Sequence, residues 1–120
     1  QTLEGLKENW LASEWASRVP VAVEVPFETV IGPVLVRGRI DAVYEVNGRF
    51  EVVDWKTGST KLGPSSAVQL AVYRLAWAKL IGIDPAQVSA AFHYVPSGET
   101  DRSADLLSED ELTELLSLQS

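Results

Sequence analysis

Cysteine and methionine are absent from the 120 residues of this sequence, and histidine occurs once, as His93. Without cysteine there is no disulfide, no thiolate zinc site, no iron–sulfur cluster and no cysteine nucleophile. A single imidazole also excludes a metal site built from several histidines. Carboxylates are therefore the side-chain ligands that remain for a metal, and they favour hard ions such as Mg²⁺ or Mn²⁺.

Long apolar runs are missing as well. No stretch approaches the roughly 20 apolar residues that a membrane span needs, and no signal-peptide pattern opens the chain. We therefore expect no membrane partner. The composition, 46% hydrophobic and 22% charged, is that of an ordinary globular protein. The length predicts one domain over residues 1–120.

Positive charge is scarce, but its distribution matters more than the net charge of −7. Residues 1–98 hold 10 acidic and 9 basic side chains, whereas residues 99–120 hold seven acidic side chains and one arginine. Lys and Arg contacts to phosphate supply most non-specific affinity for DNA. A nearly neutral body with an acidic C-terminal segment therefore predicts that another domain delivers any nucleic acid.

The apolar periodicities predict a single α+β domain with the element order α-β-β-β-α-β-α. Three strands form a meander, and a helix connects them to a fourth strand. The dipeptide Asn47-Gly48 indicates a two-residue hairpin turn, because both residue types accept positive φ. The predicted bounds are 3–17 for the first helix, 21–30, 34–46 and about 49–57 for three strands, 67–81 for the second helix, 88–95 for the fourth strand, and 108 onward for a last helix with a Ser108–Glu111 capping box.

The hairpin turn fixes which residues of the second and third strands face each other. A two-residue turn pairs Val46 with Arg49, so Asp41 should lie opposite Asp54 with Cβ atoms about 4.5–5.5 Å apart. Lys56 follows on the same face as Asp54. Opposed carboxylates repel, and three arrangements relieve this: a bridging divalent cation, a shared proton, or charge compensation by Lys56 and its opposed partner Arg39.

Three segments carry a family resemblance. VRGRIDAVYEVNGRFEVVDWKTG (36–58), AVQLAVYRLAW (67–77) and EVPFE (24–28) resemble the RecB-like branch of the PD-(D/E)xK nuclease superfamily, with its G-x-x-D, D-x-K-T-G and Q-x-x-x-Y motifs. The resemblance covers roughly residues 10–95. It implies a restriction-endonuclease-like fold, with an αβββαβ core, a C-terminal helix and a mixed four-stranded sheet.

The resemblance also implies roles for individual residues. Asp41 and Asp54 match the acids that bind the metal, and the backbone carbonyl of Trp55 matches a further ligand. Lys56 matches the catalytic lysine.

Three more residues match positions that border the site in this family. Gln69 and Tyr73 match the helix motif that helps to hold the DNA backbone. Glu24 matches an acid of the first strand.

One departure from the family concerns histidine. RecB-like nucleases carry a metal-binding histidine in an upstream helix, and this sequence has none there, because His93 lies in the predicted fourth strand. The iron–sulfur subset of the family is excluded because it requires cysteines.

The function implied by the resemblance is that of a deoxyribonuclease module, dependent on Mg²⁺ or Mn²⁺ and exonucleolytic. Such modules contact the DNA backbone without sequence specificity and sit C-terminal to helicase motors in DNA end processing and repair, here in the bacterial cytoplasm or nucleoid. The missing histidine implies weak metal binding and little or no cleavage by this chain alone, and it leaves one alternative: a catalytically incomplete domain of the same fold with a structural or DNA-binding role.

Overall fold

The computed structural model describes residues 3–11, 13, 15–56, 65–102 and 107–119. In these ranges helices flank one five-stranded sheet with strand order β1-β2-β3-β4-β5. The elements in chain order are α1 (Leu3–Leu11), β1 (Ala22–Ile31), β2 (Val34–Val46), β3 (Arg49–Lys56), α2 (Ser65–Ile81), a 3₁₀ turn (Pro85–Gln87), β4 (Val88–Tyr94), β5 (Glu99–Arg102) and α3 (Glu109–Gln119).

The sheet is mixed, as predicted, because β3 and β4 are parallel and the other neighbours are antiparallel. It has five strands, however, and the prediction of four is wrong. The extra strand is β5, which turns back at Gly98 and pairs with β4 from Tyr94↔Glu99 to Ala91↔Arg102. Its sequence, ETDR, has no apolar alternation, so pairing with β4 rather than local pattern makes it a strand.

The hairpin between β2 and β3 has the predicted turn. Asn47 and Gly48 both have positive φ, 54° and 79°, as a type I′ turn requires. The resulting register runs from Val46↔Arg49 to Ala42↔Val53. The prediction of which residues face each other across these two strands is therefore correct over five consecutive pairs.

The first helix is shorter than predicted, because it ends at Leu11 instead of continuing to residue 17. The backbone N–H and the hydroxyl of Ser13 both donate to the carbonyl of Trp10, at 3.0 and 2.6 Å, which closes the helix with a turn. Trp15 then lies outside the helix and is fully buried against the sheet. Burial of this indole compensates for the lost helical hydrogen bonds.

Two apolar clusters cover the two faces of the sheet. The larger cluster lies on the face that α2 covers, here called the α2 face, and includes Leu75, Phe92 and Leu112 of α3. The opposite face carries Trp15, Ala42, Tyr44 and Val53, with Trp10 and Trp55 packed against them, and is here called the aromatic face. The predicted capping box of α3 is present, since Ser108 and Glu111 exchange side chain-to-backbone hydrogen bonds of 3.0 and 3.2 Å.

Within the described ranges, no helix has the length and apolar character needed to cross a bilayer.

Candidate active site

The candidate site lies where β2 and β3 separate. Their ladder stops at Ala42↔Val53, one pair before Asp41 and Asp54 would meet. Beyond that point the Asp41 carboxylate takes the place of a strand partner, because its Oδ2 accepts a hydrogen bond of 2.9 Å from the backbone N–H of Trp55. The carboxyl group of Asp41 lies near enough to that of Asp54 to raise its pKa. The two acids predicted to face each other are therefore in contact, although the ladder has already ended.

Lys56 completes this group on the α2 face. Its Nζ lies 2.8 Å from Oδ2 of Asp54 and 5.1 Å from the centre of the Phe92 ring. The Asp54 side chain is only 9% exposed, whereas that of Lys56 is 26% exposed, so the ammonium group lies between the buried acid and solvent. The predicted opposition of Arg39 to Lys56 does not occur, because the β2–β3 ladder ends first and Arg39 is in register with Pro26 of β1.

Burial and the neighbouring acid raise the pKa of Asp54 from its ordinary value of 3.8 to about 6. Desolvation is the largest cause, because it disfavours the charged form. The neighbouring Asp41 carboxyl group also raises this pKa, and the Lys56 ammonium partly opposes both effects. Among the residues that the structure describes, the two carboxyl groups therefore compete for Lys56 as their charge-balancing partner.

Gln69 and Tyr73 of α2 lie near this group. The Nε2 of Gln69 donates a hydrogen bond of 2.8 Å to the hydroxyl oxygen of Tyr73. Burial raises the pKa of Tyr73, and the charge on Asp54 raises it further, which puts this hydroxyl within electrostatic range of the carboxylate. The i, i+4 spacing places both side chains on one side of the helix.

Glu24 lies beside Asp41 in the register of β1 and β2, between the pairs Val23↔Ala42 and Val25↔Ile40. Its own pairing is lost because it adopts φ of 48°, in the left-handed region that costs a non-glycine residue about 1–2 kcal/mol. The side chain is exposed. β2 is thus irregular on both sides of Asp41, and the predicted residue of the first strand lies at this irregularity.

A contact that the sequence analysis did not find connects three of the motifs. The ring of Phe27 lies directly over Gly38, where a Cβ atom would come within 2.7 Å of the ring Cζ. The same ring makes an edge-to-face contact with Tyr73, with centroids 5.7 Å apart. Glycine in the G-x-x-D motif therefore leaves room for the aromatic ring that positions Tyr73. Gly38, the small residue in register with Phe27, is the sequence feature that indicates this packing.

The donor atoms fit a hard divalent cation. Asp41 and Asp54 supply carboxylate oxygens, the ligands that Mg²⁺ and Mn²⁺ prefer. In a strand, the N–H and C=O of one residue point to the same neighbour. Because the N–H of Trp55 points to Asp41, its carbonyl is directed to the same edge. No cluster of three or more His, Cys, Asp or Glu side chains converges within the described part of the chain.

His93 lies on the aromatic face, away from the carboxylates. It is fully buried, its Nδ1 forms a hydrogen bond of 2.9 Å with the Thr100 hydroxyl, and Trp10, Trp15 and Trp55 surround its ring. Its position is that of a structural residue. Thr57 and Gly58 of the D-x-K-T-G motif lie outside the described residues.

Two solved structures resemble this chain. The crystal structure of protein VC1899 from Vibrio cholerae is 16% identical, with a TM-score of 0.46, and the match covers 97% of this chain and 30% of that one. The crystal structure of SSO0001 is 18% identical, with a TM-score of 0.48, and the match covers 98% of this chain and 57% of the other.

Two curated relatives come from phages. The Gene 69 protein of Mycobacterium phage D29 is 37% identical over 81 residues, which are 68% of this chain and 29% of the phage protein. The Gene 69 protein of Mycobacterium phage L5 is 43% identical over 63 residues, which are 52% of this chain and 21% of that protein. The chain thus matches less than a third of the length of these relatives.

A family comparison covers almost the whole sequence. The family described as the PD-(D/E)XK nuclease superfamily matches residues 2–118, a range that includes the paired acids, Lys56 and the α2 motif. The chain belongs to the PD-(D/E)XK nuclease superfamily.

Proposed function

We propose that this chain is a RecB-like nuclease module that hydrolyses phosphodiester bonds in DNA with Mg²⁺ or Mn²⁺. The observation that supports this most strongly is the contact between Asp41 and Asp54 at the point where β2 and β3 part, with Lys56 on the same strand as Asp54. Two buried acids and an ammonium group at the open edge of a sheet form the donor set that phosphoryl hydrolysis needs.

In this proposal Asp41, Asp54 and the carbonyl of Trp55 hold the divalent cation. Such an ion, when bound, activates a water molecule and stabilises the charge that develops on the phosphate. The carboxyl groups must both be ionised to act as ligands. Since the pKa of Asp54 is raised to about 6, metal binding competes with protonation of this group and weakens as the pH falls below 6.

Lys56 acts on the attacking water or on the phosphate. Its ammonium group is held by the Asp54 carboxylate and by the face of the Phe92 ring. From there it orients the attacking water or stabilises negative charge on the phosphate. The cation–π contact restricts the flexible side chain, so that less conformational entropy is lost when the substrate binds.

Tyr73 and Gln69 hold the DNA backbone beside the reacting phosphate. Gln69 donates to the Tyr73 hydroxyl oxygen, which leaves the phenolic O–H available to donate to a phosphate oxygen. Phe27 fixes the ring of Tyr73 from the side. Glu24, exposed beside Asp41, adds a carboxylate at the outer edge of the site.

The proposal includes a larger context. The chain matches less than a third of its curated relatives, and a nearly neutral body needs another source of DNA affinity. We therefore place residues 1–120 as a single exonuclease module C-terminal to a helicase motor, acting on DNA ends in repair or recombination. With DNA as its substrate, the proposed location is the bacterial cytoplasm or nucleoid.

A second candidate function is favoured by one specific observation. Within the part of the chain that the structure describes, no third acid or histidine joins Asp41 and Asp54. A catalytically incomplete domain with a structural or DNA-binding role has the same fold and the same acids.

A cleavage assay on the chain distinguishes the two functions. We expect slow, Mn²⁺-dependent degradation of a labelled DNA oligonucleotide, stopped by EDTA. Lys56→Ala should lower the rate by about 10²–10³-fold, the effect of removing one charge-stabilising donor. Lys79→Ala, an exposed lysine on α2, is the control and should cleave at the wild-type rate. Equal rates for wild type and Lys56→Ala would refute the proposal, and no cleavage by any variant would favour the incomplete domain.

A further inference from the structure

A second concave region lies far from the paired acids. A recess of about 340 Å³ opens on the aromatic face where β3 begins. Three arginines from separate parts of the chain line it: Arg18 before β1, Arg49 at the start of β3 and Arg102 at the end of β5. We call it the arginine recess.

The charges in the arginine recess do not cancel. Glu51, the acid among the lining residues, is bound by Arg102 at 2.8 and 3.3 Å. Arg18 and Arg49 have neutral partners instead. Arg18 lies over the Trp15 ring at 5.1 Å, and Arg49 donates to the carbonyl of Ala86 at 3.3 Å. Counted over its described lining residues, the recess therefore carries a surplus of about two positive charges in a protein of net charge −7.

A second recess on the same face favours nucleic acid as the ligand. It has about 330 Å³ and is lined by Trp10, Trp55 and Val95. Glu51 and Trp55 are four residues apart on β3, which corresponds to about 13 Å along a strand. Trp55 lies in the chain between Asp54 and Lys56, so the aromatic recess is at the same end of β3 as the paired acids but on the opposite face of the sheet. Basic groups that follow a backbone, combined with aromatic rings for bases, are typical of single-strand binding.

We infer that the arginine recess binds backbone phosphates of a single DNA strand that runs along β3, with an unpaired base in the recess of Trp10 and Trp55. This inference rests on the proposed function, because the bound strand would pass around the end of β3 to reach the paired acids on the α2 face. It also provides a local source of positive charge on a body whose net charge is unfavourable for DNA.

The test is binding of a fluorescein-labelled, single-stranded oligonucleotide in EDTA, followed by anisotropy at several salt concentrations. The double variant Arg18→Gln/Arg49→Gln should bind at least tenfold more weakly. The slope of log K against log salt should fall by about 1.4, since each phosphate contact on a single strand contributes about 0.7. Arg102 is left in place, because its removal would leave Glu51 buried without an ion pair.

Arg37→Gln is the matched control, because Arg37 is an exposed arginine paired with Glu28 on the β1–β2 edge. It should bind the oligonucleotide like the wild type. Equal binding by the double variant and the wild type, with both folded by circular dichroism, would overturn the inference. Competition by poly-glutamate as effective as that by unlabelled oligonucleotide would also overturn it, in favour of an acidic peptide ligand.

The outcome is separable from that of the nuclease proposal. If the double variant loses binding and the wild type never cleaves, the arginine recess stands and the nuclease function fails. If Lys56→Ala abolishes cleavage while the double variant binds normally, the nuclease function stands and the arginine recess does not bind DNA.

Discussion

At its turn the β2–β3 hairpin follows regular antiparallel geometry, whereas at its open end the two strands part around Asp41. The turn is made by Asn47 and Gly48, residue types that adopt positive φ at low cost, and five regular pairs follow. At the open end, positive φ falls on Glu24, a residue that does not favour it, and a carboxylate replaces a backbone partner for the N–H of Trp55.

The difference shows what each end contributes. The turn end stores no strain, and its local chemistry sets the register for the whole hairpin. The open end gathers the costly features: a left-handed glutamate, two acids in contact and an interrupted ladder. Such costs persist where the surrounding fold holds them in place, which is typical of functional sites. The regular end therefore stabilises the irregular one.

The largest effect on stability is expected from a substitution beside the open end, Gly38→Val. Its Cβ would come within 2.7 Å of Phe27, a rigid ring that is packed against Tyr73. Overpacking of this kind costs about 1–3 kcal/mol. We expect a loss near the top of that range in urea unfolding, together with displacement of Tyr73.

Arg39→Val on the same strand is the control for this substitution, because Arg39 is exposed. It should change the free energy of unfolding by less than about 0.5 kcal/mol. If Gly38→Val unfolds at the same urea concentration as Arg39→Val, the account of the G-x-x-D glycine is wrong.

The next effect comes from removing the charge of Asp54 in the metal-free protein. Because its pKa is about 6 in the folded state and 3.8 ordinarily, this group's contribution to stability is greatest below pH 3.8 and is lost as the pH rises through 6. Asp54→Asn removes the ionisable group, so the free energy of unfolding no longer falls as this group ionises. In EDTA at pH 7.5 we expect the variant to be more stable by up to about 3 kcal/mol, because each pKa unit between 3.8 and about 6 corresponds to 1.36 kcal/mol.

The pH profile of the difference is the decisive measurement. The stability advantage of Asp54→Asn should vanish near pH 4. Asp101→Asn, which removes an exposed carboxylate on β5, serves as the control and should show no comparable rise. An Asp54→Asn variant that is less stable than the wild type at pH 7.5 would contradict the view that the paired acids destabilise the apo site.

The smallest effects concern the two positions of positive φ. At Gly48 a Cβ would meet nothing within 4 Å, so Gly48→Ala changes only the backbone preference. It should cost about 1 kcal/mol. Glu24→Gly should instead gain about 0.5 kcal/mol, because relief of the left-handed strain exceeds the entropy cost of glycine. Thermal unfolding measures both, and the same sign for the two changes would remove the contrast between the ends.

Local patterns in the sequence were sufficient for much of the fold. The turn at Asn47-Gly48, the end of α2 and the capping box of α3 depend on residues close in sequence, and all three were predicted. The strand β5 was missed because it forms by pairing with β4, and its own sequence has no apolar alternation that would predict a strand. The first helix was predicted too long for a related reason: Trp15 keeps helical spacing but is drawn into the aromatic face.

The sequence was sufficient to predict which residues form the candidate site, but not how their strands are arranged around it. The predicted strand register placed Asp41, Asp54 and Lys56 close together, and the structure brings the three side chains into one group. The parting of the strands could not be foreseen, because it depends on carboxylate–backbone bonding that no periodicity encodes. The packing of Phe27 over Gly38 likewise depends on the register between β1 and β2. The turn between these strands indicates that register less strongly than Asn47-Gly48 indicates the register of β2 and β3.

The central claim is that Asp41 and Asp54 bind one divalent cation between β2 and β3. Titration with Mn²⁺, followed by paramagnetic broadening of backbone amide signals, tests it directly, because this readout also detects weak binding. The account predicts that the amides of Trp55 and Lys56 broaden first, and that this broadening disappears in Asp41→Asn. Broadening that begins in the acidic segment at Glu109–Glu111, with Trp55 unaffected, would contradict it.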